Sequence, residues 1–278
     1  MKITVAHTTV YRYGSPVLLG PHVIRLRPRD DGSQRLLCYE LKITPEPRAR
    51  SQSLDQDGNV VTHAWFEEAS AEFAVYTRFT VETFRDNPFD FLLERPALPF
   101  EYPAAVQAFV APYAHAGAAP SVAEFAHSAA EVAGRKTMDF LVELNRRIPR
   151  LLRPIARTEG PARSAAETLQ AGEGACRDFA VLFCSACRAM GLAARFVSGY
   201  EREAARDPEH AYMHAWAEVY LPGGGWRGFD PTRGLAVSTA HVPVAAALEP
   251  DRAAPISGSY LGPTQSTMET SIHMETSE

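Results

Sequence analysis

The sequence predicts an α+β fold. An N-terminal antiparallel β-sandwich-like region should span residues 1–95, followed by a core over residues 96–278 in which a central cysteine-bearing helix packs on an antiparallel sheet. Three observations carry this. The first third alternates with period two and is rich in Val, Thr and aromatic residues. The middle third changes to a helical period and ends in an apolar segment from Cys176 to Met190. Strand-like runs then return, separated by glycine turns. A chain of 278 residues with 46% hydrophobic content has enough apolar material for such a core.

In the N-terminal region, Lys2 to Tyr13, Val23 to Arg27 and Arg35 to Ile43 alternate as strands do. Asp57-Gly58-Asn59 is a hairpin-type turn leading into Val60 to Phe66, and Phe73 to Phe84 is a further strand. Asn87-Pro88 and the proline-rich stretch from Pro96 to Pro103 mark the domain boundary.

Residues 101–190 read as helical. Ser121-Val122-Ala123-Glu124 has the form of a capping box, and Thr137 is placed to cap a helix whose Phe140, Leu141, Leu144 and Ile148 share a face. Three or four helices are expected before Cys176. Ser164-Ala165-Ala166-Glu167 is a second capping box, opening a short helix that stops at Gly172. The helix from Cys176 runs to Met190 and ends at Gly191. Strands are expected from Ala193 to Tyr200, Met213 to Leu221 and Trp226 to Asp230, and near Ser257 to Tyr260 and Met268 to Met274, all around that helix.

The candidate chemistry centres on Cys176 in Gly172-Glu173-Gly174-Ala175-Cys176-Arg177-Asp178-Phe179-Ala180. A thiol at a helix start meets unpaired N–H groups and a partial positive charge, which favour the thiolate over the free-cysteine value of about 8.5. Downstream, His214 lies in a strand that turns through Gly223 to Gly225 into Trp226-Arg227-Gly228-Phe229, which ends at Asp230-Pro231-Thr232. Such a hairpin sets His214 beside Asp230. Nucleophile, base and orienter are therefore Cys176, His214 and Asp230. The backbone N–H of Cys176 is a natural oxyanion donor. Asp178 fits a helix-capping role, and His210 that of a pocket or loop residue.

The string GACRDFAVLFCSACRAMGLAARFVSGY, followed by HAWAEVYLPGGGWRGFDPTRG, resembles the transglutaminase-like core of the papain-type cysteine hydrolases. The stretch from Met1-Lys2-Ile3 through Gly20-Pro21-His22 to Leu26-Arg27-Pro28-Arg29 is similar to the β-rich region preceding this core in bacterial members, so the resemblance covers nearly the whole chain. It implies an enzyme attacking the amide or isopeptide bond of a peptide or protein through an acyl-thioenzyme. With water as second substrate the enzyme is a hydrolase, the reading we favour. With an amine co-substrate it is a transamidase. A catalytically silent peptide- or protein-binding module is the third reading. The resemblance also points to Gln170, six residues before the cysteine, as a side-chain oxyanion donor, and to Trp216 and Tyr212 as pocket residues.

Other features have plainer readings. The formal charge is −5, and the basic residues do not gather into a patch interleaved with aromatics, so no nucleic-acid partner is expected. Arg146, Arg147, Arg150, Arg153, Arg157 and Arg163 read as a solvated helix face and linker. Cys184 and Cys187 form a C-x-x-C in mid-helix among apolar residues, which suits buried small side chains better than a redox or zinc pair. His63-Ala64-Trp65 repeats the triplet at His214, but without a cysteine helix, so His63 is taken as structural. Asp55-Gln56-Asp57-Gly58-Asn59 lacks the glycine and glutamate of a calcium loop, with Val60 and Phe66 in those places, so no metal or other cofactor is expected. The N-terminus lacks the apolar segment of a signal peptide, and no apolar run approaches about 18 residues. A cytoplasmic protein with no membrane contact is expected.

Overall fold

The computed structural model describes residues 1–114, 117–157, 160–202 and 212–277. The N-terminal region forms β1 (Lys2–Leu19), β2 (His22–Ile24), β3 (Gln34–Thr44), β4 (Ala49–Leu54), β5 (Val60–Trp65) and β6 (Ala69–Thr83). The core follows as α1 (Ala104–Ala114), α2 (Pro120–Val132), α3 (Thr137–Leu151), β7 (Arg153–Pro154), α4 (Ala165–Ala171), β8 (Glu173–Gly174) and α5 (Cys176–Ala189). Then come β9 (Ala194–Glu201), β10 (His214–Leu221), β11 (Gly225–Asp230), β12 (Leu235–Ala236) and β13 (His241–Ala247). Three strands close the chain: β14 (Ile256–Ser257), β15 (Tyr260–Leu261) and β16 (Ser266–Ser277).

Two antiparallel sheets make up the sandwich, one ordered β15-β1-β6-β3 with β16 also on β1, the other β14-β2-β5-β4. The closing strands are where the fold departs from the sequence reading. Strands do form at Ile256–Ser257 and from Ser266 to Ser277, but they pair with β2 and β1 rather than joining the core sheet. Period-two alternation selects a strand and its faces, not its partner.

Along β1, Ile3 and Val5 join Phe79, Val81, Tyr200, Val242 and Val244 in one apolar cluster, while Tyr13 and Val17 join Ile24, Leu26, Phe73 and Val75 in another. Between them on the same face lie buried His7 and Thr9, so the apolar stripe is interrupted by polar side chains where the sheet meets the core.

The core sheet runs β12-β11-β10-β9-β13, and α5 lies across it. Phe179, Leu182, Phe183, Ala186 and Cys187 of α5 are fully buried, between Ala126, Ala129, Phe140, Leu141 and Leu144 of α2 and α3 and the small residues Ala194 and Ala217 of β9 and β10. Each fully buried Phe or Leu contributes about 1.5–3 kcal/mol, which anchors the helix that carries Cys176. Two expected caps take other forms. α2 begins at Pro120, which fits the first helical turn, so Ser121 lies inside the helix with no capping bond. Thr137 is the first residue of α3, and its hydroxyl donates to Arg95 O.

Polar contacts lock sandwich to core. Asn59 is buried; its amide donates to Ala246 O at 2.7 Å and accepts from Ala246 N–H at 2.8 Å. Glu218 on β10 reaches Arg195 at 2.6 Å and Arg29 of the N-terminal region at 3.3 Å. Burial alone would raise the Glu218 carboxyl, but the two guanidinium groups bring it down to about 2. Because this lies below the unfolded value of about 4.3, the stabilisation is complete above that pH and is lost as pH falls toward 2. Glu218→Gln should destabilise the protein by about 3 kcal/mol at neutral pH, with the difference from wild type shrinking below about pH 4. Urea denaturation at a series of pH values reads this; equal stabilities at neutral pH would contradict it.

Candidate active site

The approach to Cys176 is built locally. In α4 the Ser164 hydroxyl accepts the Glu167 N–H while the Glu167 carboxylate accepts the Ser164 N–H, the capping box the sequence predicts. Gly172 then adopts φ 64°, a left-handed conformation that ends α4 and turns the chain. The parallel pairing of Arg153 with Glu173 and Pro154 with Gly174 guides it into α5. Asp178, fully buried, accepts the Ala175 N–H at 2.8 Å and the Arg163 N–H at 2.8 Å, and pairs with Arg157 at 2.5 Å. Its charge is thus balanced by Arg157 and does not cancel the positive end of α5 beside the thiol.

His214 opens β10 and Asp230 ends β11. The ladder pairs Ala217 with Phe229, so His214 and Asp230 lie one diagonal step apart on the same face. His214 Nε2 donates to Asp230 Oδ2 at 2.7 Å. A carboxylate only accepts, so Nε2 carries the proton and Nδ1 is the ring nitrogen left to act on Cys176, whose thiol His214 lowers. Asp230 is fully buried, and its Oδ1 accepts the backbone N–H groups of Thr232 at 2.9 Å and Arg233 at 3.2 Å. His241 Nε2 meets the same Oδ2 as His214, at 3.2 Å.

The electrostatics follow from these contacts. Burial opposes the charged form of all three groups, and contact between them outweighs it. The Cys176 thiol would be raised by burial, but the hydrogen bond and charge of His214, with the Ala215 backbone N–H, hold it below its ordinary value. Burial would lower His214, yet the Asp230 charge and hydrogen bond push it up to about 10. Burial would raise Asp230, but the two histidines hold it well below the usual carboxylate range. All three shifts act in one direction, favouring a thiolate–imidazolium pair beside an ionised carboxylate.

This pair opens into a cleft of about 940 Å³. Ala156, Arg157 and Arg177 line it on the core side, and Tyr212 and Met213 precede the histidine strand. The opposite wall comes from the sandwich: His7, Thr9 and Tyr11 of β1, with Met268 and Thr270 of β16. Thr9 pairs with Thr270 and Tyr11 with Met268, so these residues share one sheet face.

Tyr212 therefore lies in the cleft. Trp216 does not; it is fully buried beneath the triad, edge-on to His241 with ring centroids 5.3 Å apart. Its ring crosses β9 so closely that a Cβ at Gly199 would meet it at 2.5 Å, and the Val242 carbonyl at 2.3 Å, which requires glycine there. Gln170 is also apart from the site, exposed on α4 beside Arg163, Glu167 and Ala171. The left-handed turn at Gly172 sends the chain away from that face of α4, so a separation of six residues does not bring Gln170 to the thiol. His210 lies outside the described residues.

Cys184 and Cys187 are buried, free, and raised by burial, Cys184 to about 12, as befits core thiols. His63 stacks on Trp65 in the sandwich, and Asp55 accepts the N–H groups of Asp57 and Asn59 in a turn. Among the described residues no cluster suited to a metal is present, and no helix is long and apolar enough to cross a membrane. His241 was missed because its sequence neighbours carry no motif; only the pairing of β13 with β9 brings it beside the triad.

Comparison with known proteins agrees with this architecture. The profile of the bacterial transglutaminase-like N-terminal region matches residues 3–82, and that of the transglutaminase-like superfamily matches residues 127–231. An uncharacterised protein of Mycobacterium leprae is 27% identical over 272 residues, covering 94% of each chain. One of Mycobacterium tuberculosis is 30% identical over 263 residues, covering 87% of this chain and 82% of its own. The crystal structure of a candidate cysteine protease from Cytophaga hutchinsonii shares the fold, with a TM-score of 0.73 at 23% identity, over 100% of this chain and 92% of that one.

With iodoacetamide, Cys176 should be alkylated faster than Cys184 and Cys187 at about pH 6, with a rate that stays level until His214 deprotonates near pH 10. In His214→Ala the rate at about pH 6 should fall at least about tenfold. Mass spectrometry of the labelled peptides measures both, and a wild-type rate that rises only above about pH 8 would contradict the ion pair.

Proposed function

The chain belongs to the bacterial transglutaminase-like family, and from that premise we propose that it is a thiol-dependent hydrolase of amide or isopeptide bonds in peptides or proteins. The observation that carries the reading is His214, hydrogen-bonded to buried Asp230 and lining one open cleft with Cys176, whose thiol it holds below the ordinary value. A binding module has no need of a thiolate held against a raised imidazole, since perturbed groups of this kind serve nucleophilic chemistry.

In the proposed reaction the Cys176 thiolate attacks the substrate carbonyl, forming the C–S bond. The tetrahedral oxyanion is met by the backbone N–H of Cys176 in the first turn of α5, one of the helix's unpaired donors. As the C–N bond breaks, imidazolium His214 gives its proton to the departing amine, leaving an acyl-thioester and neutral His214. Water attacks that carbonyl, His214 takes its proton, and the acid departs as the thiolate–imidazolium pair is restored. Asp230 stays ionised throughout and keeps Nδ1 of His214 aimed at Cys176.

Transamidation shares the first half-reaction and differs in that an amine attacks the thioester. The description of the Cytophaga hutchinsonii protein as a candidate cysteine protease favours water. The proposal includes a cytoplasmic location, because a thiol nucleophile must be kept reduced.

A panel of fluorogenic peptide amides should include substrates cleaved by the wild type, and Cys176→Ala should lower kcat by at least about 10³-fold. With a primary alkylamine added, chromatography should find the acid as the main product. Amide as the main product would make the enzyme a transamidase, and turnover unchanged in Cys176→Ala would remove the thiol mechanism.

A further inference from the structure

The geometry assigns His241 a role that no motif marks: a positioning residue that, by donating Nε2–H to Asp230, completes the set of donors fixing the carboxylate plane and, through it, the imidazole of His214. This rests on the thiol-hydrolase reading above. His241 opens β13, is 5% exposed, and lies 3.2 Å from Oδ2 of Asp230, the oxygen that also takes His214 Nε2 at 2.7 Å. Because the carboxylate only accepts, both imidazoles donate. The other ring nitrogen of His241 accepts the Ser238 N–H at 3.5 Å, which supports the same tautomer.

Asp230 then receives four N–H groups, two on each oxygen: Thr232 and Arg233 from its own turn, His214 from β10 and His241 from the start of β13. Two donors from one turn define one edge of the carboxylate. The second imidazole defines the other independently of His214, so His214 meets an oxygen whose position it does not set. Trp216, edge-on at 5.3 Å, holds the His241 ring from the side. Glu201, opposite it on β9, binds Arg233 at 3.2 Å, while His241 Nε2 meets Asp230.

Without His241, Oδ2 has His214 alone, and carboxylate and imidazole can turn together. Nδ1 would then face Cys176 for only part of the time, and the thiol would move back toward its ordinary value. Outer-shell donors of this kind alter function by about 10–100-fold when removed.

Glutamine can place an amide N–H where Nε2 stands, whereas asparagine keeps a polar side chain but falls short of Asp230. Iodoacetamide rates of Cys176 across about pH 4–9 should therefore separate His241→Gln from His241→Asn. His241→Gln should stay within about threefold of wild type, with its acid limb unmoved; His241→Asn should lose at least about tenfold at about pH 6, with the limb displaced upward. Equal rates and limbs in the two variants, whether both near wild type or both impaired, would overturn the assignment. A wild type with no acid-shifted Cys176 would instead remove the thiol reading itself. In nitrogen-labelled wild type, the signals assigned to His214 and His241 should each show a hydrogen-bonded Nε2–H proton downfield, and a His241 ring with no such proton on Nε2 would overturn the assignment.

Discussion

A buried carboxylate that must stay ionised is the constraint around which the site is organised. Asp230 has no solvent exposure, and an isolated charge there would be neutralised rather than tolerated. Four N–H donors, one of them on His214, keep it charged, and the charge in turn makes that imidazole basic enough to hold the proton of Cys176. The lowered thiol and the raised imidazole are therefore one coupled event. Charge-assisted hydrogen bonds contribute about 1.5–3 kcal/mol each. Few elements of the fold could lose register here without disturbing the chemistry.

The surrounding architecture serves that constraint in layers. α5 is fixed by apolar burial on nearly every side, so the thiol at its first turn has a defined position. β10 is two-faced: Ala215, Ala217 and Val219 pack toward the helix, while His214, Trp216 and Glu218 form the other face. On that face Glu218 ties the core to the sandwich through Arg29 and Arg195, and Trp216 supports His241. The first and last long strands of the chain, β1 and β16, pair along the whole of β16 and present one face to the cleft. The N-terminal region is thus a wall of the cleft and not an appendage to it.

Much of this was legible in the residues. Cys176, His214 and Asp230 could be named because each sits at a local signal: a glycine-led helix start, a strand of alternating pattern, the end of a hairpin. The capping box at Ser164 and the Asx-type turn at Asp55 are likewise contacts between near neighbours. What escaped depends on contacts between distant segments. His241 becomes important only once β13 lies beside β9, Gly199 only once the Trp216 ring crosses it, and β14 to β16 reveal their partners only in the folded chain. Gln170 failed for the converse reason. Counting residues back from the cysteine ignored the left-handed turn at Gly172 that carries the chain away.

The central claim is that Asp230 sets the ionisation of Cys176 through His214. The most direct measurement is the ultraviolet thiolate absorbance of the wild type and of Asp230→Asn across about pH 4–10, each corrected with a Cys176→Ala counterpart. The account predicts that the wild-type thiolate persists below the ordinary cysteine range and that the Asp230→Asn thiol titrates near about 8.5 or above. Identical titrations in the two proteins, at either value, would contradict it.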